Sequence, residues 1–134
     1  MEEKFNDATS QRSQGHLLDA SLVVINIPAF TEQLKQEPTW KESDRNSITV
    51  LKTDGMRIVL IGLHAGAEMA KHTANGHISV QVLEGQLKFT TDAKSVELSK
   101  GQMLALHERI PHSVHAIKET VFLLTLTTTL AGKE

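Results

Sequence analysis

The chain has no cysteine among its 134 residues, which excludes a disulfide framework, an iron–sulfur cluster and any thiolate zinc site. That composition fits a reducing compartment, and the cytoplasm is the expected location. Tyrosine is absent and aromatics make up 4% of the chain, so there is no stacking platform for bases. Charge of one sign is also missing. The formal net charge is −2 with acids and bases scattered, whereas a protein that neutralises several phosphates needs a basic stripe. Nucleic acid is not an expected partner. Long apolar runs are lacking: "RIVLIGL" and "VFLLTL" fall far short of the roughly 20 residues that cross a bilayer as a helix. No membrane association is expected. The opening "MEEKFNDATSQRSQG" has no cationic segment followed by an apolar run, as a secretory signal would. Neither a Gly-x-Ser-x-Gly elbow nor a glycine-rich phosphate loop occurs, so the chain carries no motif for a serine nucleophile or a bound nucleotide.

What is present reads as one domain with a single sizeable core. Residues 1–15 are polar and aperiodic, so burial cannot repay the entropy of ordering them. They are expected to be a flexible tail before a single domain over 16–134. The chain turns apolar at "LLDASLVVINI". "PAFTEQLKQEP" follows, with proline near a helix start and Phe30 and Leu34 four apart on one face. One short helix, stopped before Pro38, is predicted. Eight strand-like runs come next: "SITVLKT", "RIVLIGL", "HISVQVLEG", "QLKFTTD", "SVELSKG", "QMLALHE", "HSVHAIK" and "TVFLLTLTT". Turn signals separate them, which predicts an all-β sandwich or barrel. Alternation puts Ile78, Val80 and Val82 on the core face and Ser79 and Gln81 on the other.

Two stretches carry a resemblance. In "GAEMAKHTANGHISVQVLEGQL", Gly66, His72 and Gly85 keep the spacing of a motif that reads Gly, five residues, His, one residue, His, three or four residues, a carboxylate, six residues, Gly. In "SKGQMLALHERIPHSVHAI", Gly101 and His112 keep the spacing of a second motif, while His107, Arg109 and Ala116 replace its proline, glycine and asparagine. Together these resemble the cupin superfamily over about residues 45–130. The resemblance implies a mostly β double-stranded β-helix, or jelly-roll barrel, here with a short N-terminal helix. Cupins include dioxygenases, isomerases, epimerases, decarboxylases, storage proteins and sensing domains, so the fold selects no activity. Small cupins are often homodimers, and a homodimer is expected, since apolar strands near the chain ends need covering.

The resemblance also implies a divalent metal (zinc, iron, nickel, manganese or copper) held by three histidines and a carboxylate. A His-x-His pair on a strand aims both imidazoles at one ion. Here Ala74 stands at the second histidine and Ile78 at the carboxylate, leaving His72 and His112. By parity His77 faces away from the pocket. A bulge at Asn75-Gly76 would instead turn it inward and complete a set of His72, His77 and His112. The alternative is a metal-free pair of His72 and His112 in a small cavity, hydrogen-bonded to water or ligand.

Of the other polar candidates, Glu68 reaches the mouth as acid or base or stays a solvated loop residue. Arg57 anchors an acidic ligand bidentately if it projects into the barrel, or marks a strand end in water. His64 is expected in a partly exposed loop, His107 at the rim, and His115 on the surface or at an interface. Glu84 is assigned no chemistry. Leu60, Leu104 and Leu106 are expected to line the interior with Ile78, Val80 and Val82, where a buried histidine tends to be neutral. The leading expectation is a protein that binds a small organic ligand between His72 and His112. A metal-dependent oxygenase or isomerase is the rival, and a non-catalytic sensor or accessory protein the third reading.

Overall fold

The computed structural model describes residues 20–128. The expected polar tail, 1–15, lies outside them. Residues 20–26 carry no helix or strand, and Leu22 and Val24 in this stretch are 81% and 87% exposed. Helix α1 spans Ile27–Gln36. The Asn26 side chain accepts the Ala29 N–H at 3.1 Å, and Pro28 stands in the first turn, so both start signals are used. Glu37 is extended, and a second, five-residue helix, α2, follows at Pro38–Glu42. The single helix expected is thus two: Pro38 cannot continue the first and is well suited to begin the second.

Among the described residues nine strands follow: β1 Arg45–Lys52, β2 Met56–Leu63, β3 Glu68–His72, β4 Ile78–Glu84, β5 Gln86–Thr91, β6 Ser95–Ser99, β7 Met103–Leu106, β8 His112–Ala116 and β9 Thr120–Thr127. They form a five-stranded sheet ordered β1-β2-β9-β4-β7 and a four-stranded sheet ordered β3-β8-β5-β6. Every pairing is antiparallel. This is the jelly-roll arrangement expected.

Two cores flank the five-stranded sheet. Between the sheets pack Val59, Ile61, Val80, Val82, Phe89 and Phe122, among others. On the outer face Leu60, Ile48, Val50 and Val121 meet Leu34 and Trp40 of the helices. Strand β2 is apolar at successive positions because both its faces are covered. For the same reason sequence parity misassigns Leu60, which lies under the helices and does not line the barrel. Gly62 lets the helices sit this close: a Cβ there would come within 2.6 Å of Leu34 Cδ2 and 3.1 Å of the Trp40 ring. Asn46, buried in β1, donates to the Leu34 carbonyl and to Glu37 Oε1, both at 2.9 Å, and ties the end of α1 to the sheet. Among the described residues no helix is long and apolar enough to cross a membrane.

Strand β3 is the one the sequence reading passed over. Its residues "EMAKH" are mostly exposed and include no β-branched side chain. It is an outer strand whose inward contribution to the core is Met69. An edge strand with a single inward apolar residue leaves almost no period-2 signal.

Candidate functional site

The two histidines that keep motif spacing meet. Strand β3 runs antiparallel to β8 with Glu68 opposite His115, Met69 opposite Val114 and His72 opposite His112. Three residue steps on β3 thus match two on β8, so one extra residue sits between Met69 and His72. This bulge decides the site. Met69 packs inward against the core, and an unbroken strand would turn His72 outward. The extra residue returns His72 to the side that His112 occupies. The ring centres are 4.4 Å apart with planes inclined at 62°.

His112 is 4% exposed. Its ring stacks on Phe89 at 5.2 Å and 13°, a contact the sequence reading missed although Leu87 and Phe89 alternate inward in "QLKFTT". His72 is exposed, so it forms the outer lip of the pair. Each ring is held by a carbonyl two residues upstream: His72 Nδ1 by Ala70 O at 2.7 Å, and His112 Nδ1 by Ile110 O at 2.8 Å. A carbonyl only accepts, so both Nδ1 atoms carry the proton, and in the neutral rings both Nε2 atoms keep a lone pair. Burial holds the His112 pKa below its ordinary 6.5, with the Ile110 hydrogen bond opposing and the neighbouring His72 charge adding. The inner imidazole is therefore an acceptor at neutral pH.

The connections β3–β4 and β7–β8 lie at this same end of the barrel. Here Leu106 faces Ile78, Ile78 faces Leu126, and Leu126 faces Arg57 across the five-stranded sheet. Arg57 shares its face of β2 with Val59 and Ile61, which belong to the barrel core, and its Nε is shielded from solvent. It therefore enters the barrel wall at the end that carries the histidines. Glu68 does not. It precedes the bulge and keeps the outward parity, with Oε2 3.4 Å from His115 Nδ1 on the outer face of the four-stranded sheet. The expectation that Glu68 reaches the mouth is thereby corrected.

The remaining described histidines go elsewhere. His64 stacks on Trp40 at 3.6 Å and donates from Nε2 to the Trp40 carbonyl at 2.9 Å, a structural role. His77 lies in the β3–β4 connection with its ring 5.0 Å from that of His107, not against His72 and His112. The Asn75-Gly76 step makes no inward bulge for it. Gly76 is buried because β9 passes so close that a Cβ would stand 1.5 Å from the Thr127 carbonyl oxygen. The Glu84 carboxylate pairs with Lys35 at 2.7 Å on the surface. That ion pair borders an open groove of about 460 Å³ between α1 and the end of β4, lined by Ile27, Thr31 and Leu83 among others, on the helix side of the sheet. The groove is lined by none of the described histidines.

The donor set can be tested against the ion that the motifs imply. Ala74 packs against the barrel core and Ile78 is 4% exposed within it, so two ligand positions are apolar and filled by packing. Among the described residues no group of three or more histidine, aspartate or glutamate side chains is placed to hold a metal ion. Two nitrogens at the inner site do not make the four-ligand set of the resemblance, and the trio of His72, His77 and His112 is not assembled.

No protein-family model matches the sequence, and no curated protein matches it. Solved structures do. An RmlC-like cupin from Desulfovibrio desulfuricans is 27% identical with a TM-score of 0.57, over 62% of this chain and 81% of that one. A cupin superfamily protein from Desulfitobacterium hafniense is 17% identical with a TM-score of 0.63, over 66% and 81%. Salicylate 1,2-dioxygenase from Pseudoaminobacter salicylatoxidans, in adducts with gentisate, is 20% identical with a TM-score of 0.65. The match covers 73% of this chain but 31% of that enzyme. At these identities the likeness establishes the architecture and leaves the activity open.

Proposed function

We propose, on the premise that this chain has the cupin fold, that it binds a small organic molecule at the end of the barrel that carries His72 and His112. The Nε2 atoms of His72 and His112 accept hydrogen bonds from it, and Ile78, Leu106 and Leu126 provide the apolar wall. Arg57 enters the same end and holds an acidic group of the molecule. One observation carries this reading. Both Nδ1 atoms are committed to carbonyls, which leaves the Nε2 of each ring as an acceptor, on two rings whose centres are 4.4 Å apart, one enclosed and one exposed. No turnover is assigned.

A metal-dependent reading retains one supporting observation: rings 4.4 Å apart are within reach of a single ion. It lacks the further ligands that would close a family-type site. The homodimer also belongs to this proposal. The five-stranded sheet ends in β7, where Met103 is 56% exposed, and sedimentation of the full chain reads the assembly.

A fragment library of small hydroxy and carboxylic acids, followed through the histidine ring resonances of the full chain, tests the function. Hits should shift His72 and His112 first and lose at least tenfold in affinity in His72→Ala. Hits whose affinity is unchanged by His72→Ala and by Arg57→Gln refute the assignment.

A further inference from the structure

Two histidines at the rim, His77 and His107, have no part in the inner pair and, among the described residues, no structural partner comparable to Trp40 beside His64. Their positions follow from the β4–β7 ladder. Ile78 faces Leu106 as the terminal pair, so His77 immediately before it and His107 immediately after its partner lie side by side where the ladder ends. Ile78 and Leu106 turn into the barrel, and the next residue along each strand turns the other way. The rim pair therefore points away from the site of His72 and His112.

The geometry points to a second, separate site here: His77 and His107 together take one divalent transition-metal ion of the zinc, nickel and copper type, with water in the remaining positions. The separation supports this. Two imidazoles bound to one ion at about 2.0–2.1 Å place their ring centres roughly 4.5 Å apart at a right angle and roughly 5.2 Å apart at a tetrahedral angle. The observed separation is 5.0 Å, with planes inclined at 60°. Imidazole nitrogen is the donor these ions favour, with copper bound most tightly.

The backbone beneath the pair is already fixed. His77 N–H donates to Thr127 Oγ1 at 3.0 Å, and Thr127 N–H donates to the His77 carbonyl at 2.9 Å. The Arg109 N–H donates to the Ala74 carbonyl at 2.8 Å and joins the two loops that carry the histidines. Both side chains are exposed, so an ion reaches them from solvent and little ordering of the chain opposes binding. The adjacent Glu108 carboxylate pairs with Arg109 at 3.2 Å. An ion held here would clamp the β3–β4 and β7–β8 connections across the lip of the barrel.

The test titrates Zn²⁺ alone into tag-free full-length protein at pH 7.5, with calorimetry for stoichiometry and histidine ring spectra for location. The expected result is one equivalent bound with the His77 and His107 resonances shifting. Affinity should fall at least tenfold in His77→Ala and in His107→Ala and stay unchanged in His115→Ala, on the outer face of the four-stranded sheet. Backbone amide spectra confirm that each variant keeps the barrel. Unchanged affinity in both rim variants, binding lost only through His72→Ala, or no binding up to millimolar Zn²⁺ would each overturn the site. The first test, with organic acids and no metal, stands or falls independently.

Discussion

His112 and His72 touch each other, yet replacing them should have unequal effects on stability. Truncating His112 to alanine removes a ring that is 4% exposed, its hydrogen bond to Ile110 O, its stack on Phe89 and its edge contact with His72. The hydrogen bond contributes about 0.5–1.5 kcal/mol, each ring contact about 0.5–1.5 kcal/mol, and the cavity left behind adds to these. A loss of about 2–4 kcal/mol follows. Truncating the exposed His72 removes one hydrogen bond, to Ala70 O, and the same ring contact, but both lie where water competes and no enclosed cavity is left, so its cost falls at the low end of about 1–3 kcal/mol and below that of His112→Ala.

Acid adds a second signature. Because burial lowers the His112 pKa from 6.5, the unfolded chain takes up that proton more readily than the folded one. The stability from keeping His112 neutral is therefore complete above pH 6.5 and drains away as the pH falls from there through the folded-state value. Urea unfolding of the wild type, His72→Ala and His112→Ala at pH 8 and again at pH 5 reads both effects. The gap between wild type and His112→Ala should narrow in acid. A gap that does not change with pH, or a His72→Ala cost equal to that of His112→Ala, would refute the placement of His112 as the enclosed member of the pair.

Three further substitutions probe the frame around the site. Gly76→Ala drives a methyl group into the Thr127 carbonyl and should cost more than about 2 kcal/mol, seen as a fall in melting temperature. Thr120→Val removes a fully buried hydroxyl that accepts from Gln86 N–H at 3.1 Å and lies within hydrogen-bonding reach of the Gln86 and Lys118 carbonyls. The unsatisfied groups should cost about 1–3 kcal/mol in chemical denaturation. Arg109 has a φ of 61°. Arg109→Gly should stay within about 0.5 kcal/mol of wild type while Arg109→Val loses about 1–2 kcal/mol, because a β-branched residue tolerates that backbone least.

The architecture was legible because the strands that build the core announce themselves. "HISVQVLEG" alternates over a half-buried surface, and β4 buries Ile78, Val80 and Val82 as the alternation requires. The pairing of His72 with His112 was legible from motif spacing, although the strand that delivers His72 was not. Its inward turn depends on a bulge between Met69 and His72, and nothing in "EMAKH" marks where an extra residue will sit. Glu68 and Leu60 went astray for related reasons. Glu68 lies on the other side of that bulge. Leu60 belongs to a strand that is apolar on both faces, so parity has no polar residue to anchor it. Asn75-Gly76 is a candidate bulge in sequence terms, whereas Gly76 answers to the close approach of β9, a long-range contact that no local window contains.

Strand β3 stands at the margin of the four-stranded sheet with β8 as its neighbour, whereas β8 is gripped on both sides by β3 and β5. Unzipping a marginal strand breaks one ladder and releases little apolar surface, so it takes less free energy than removing an inner one. When β3 lifts, His72 leaves with it while His112 remains seated on Phe89, and the barrel gains a lateral door beside the histidine pair. Amide exchange along residues 68–72 should then outpace that along 112–116, and a bound molecule that bridges the two imidazoles would latch this door shut.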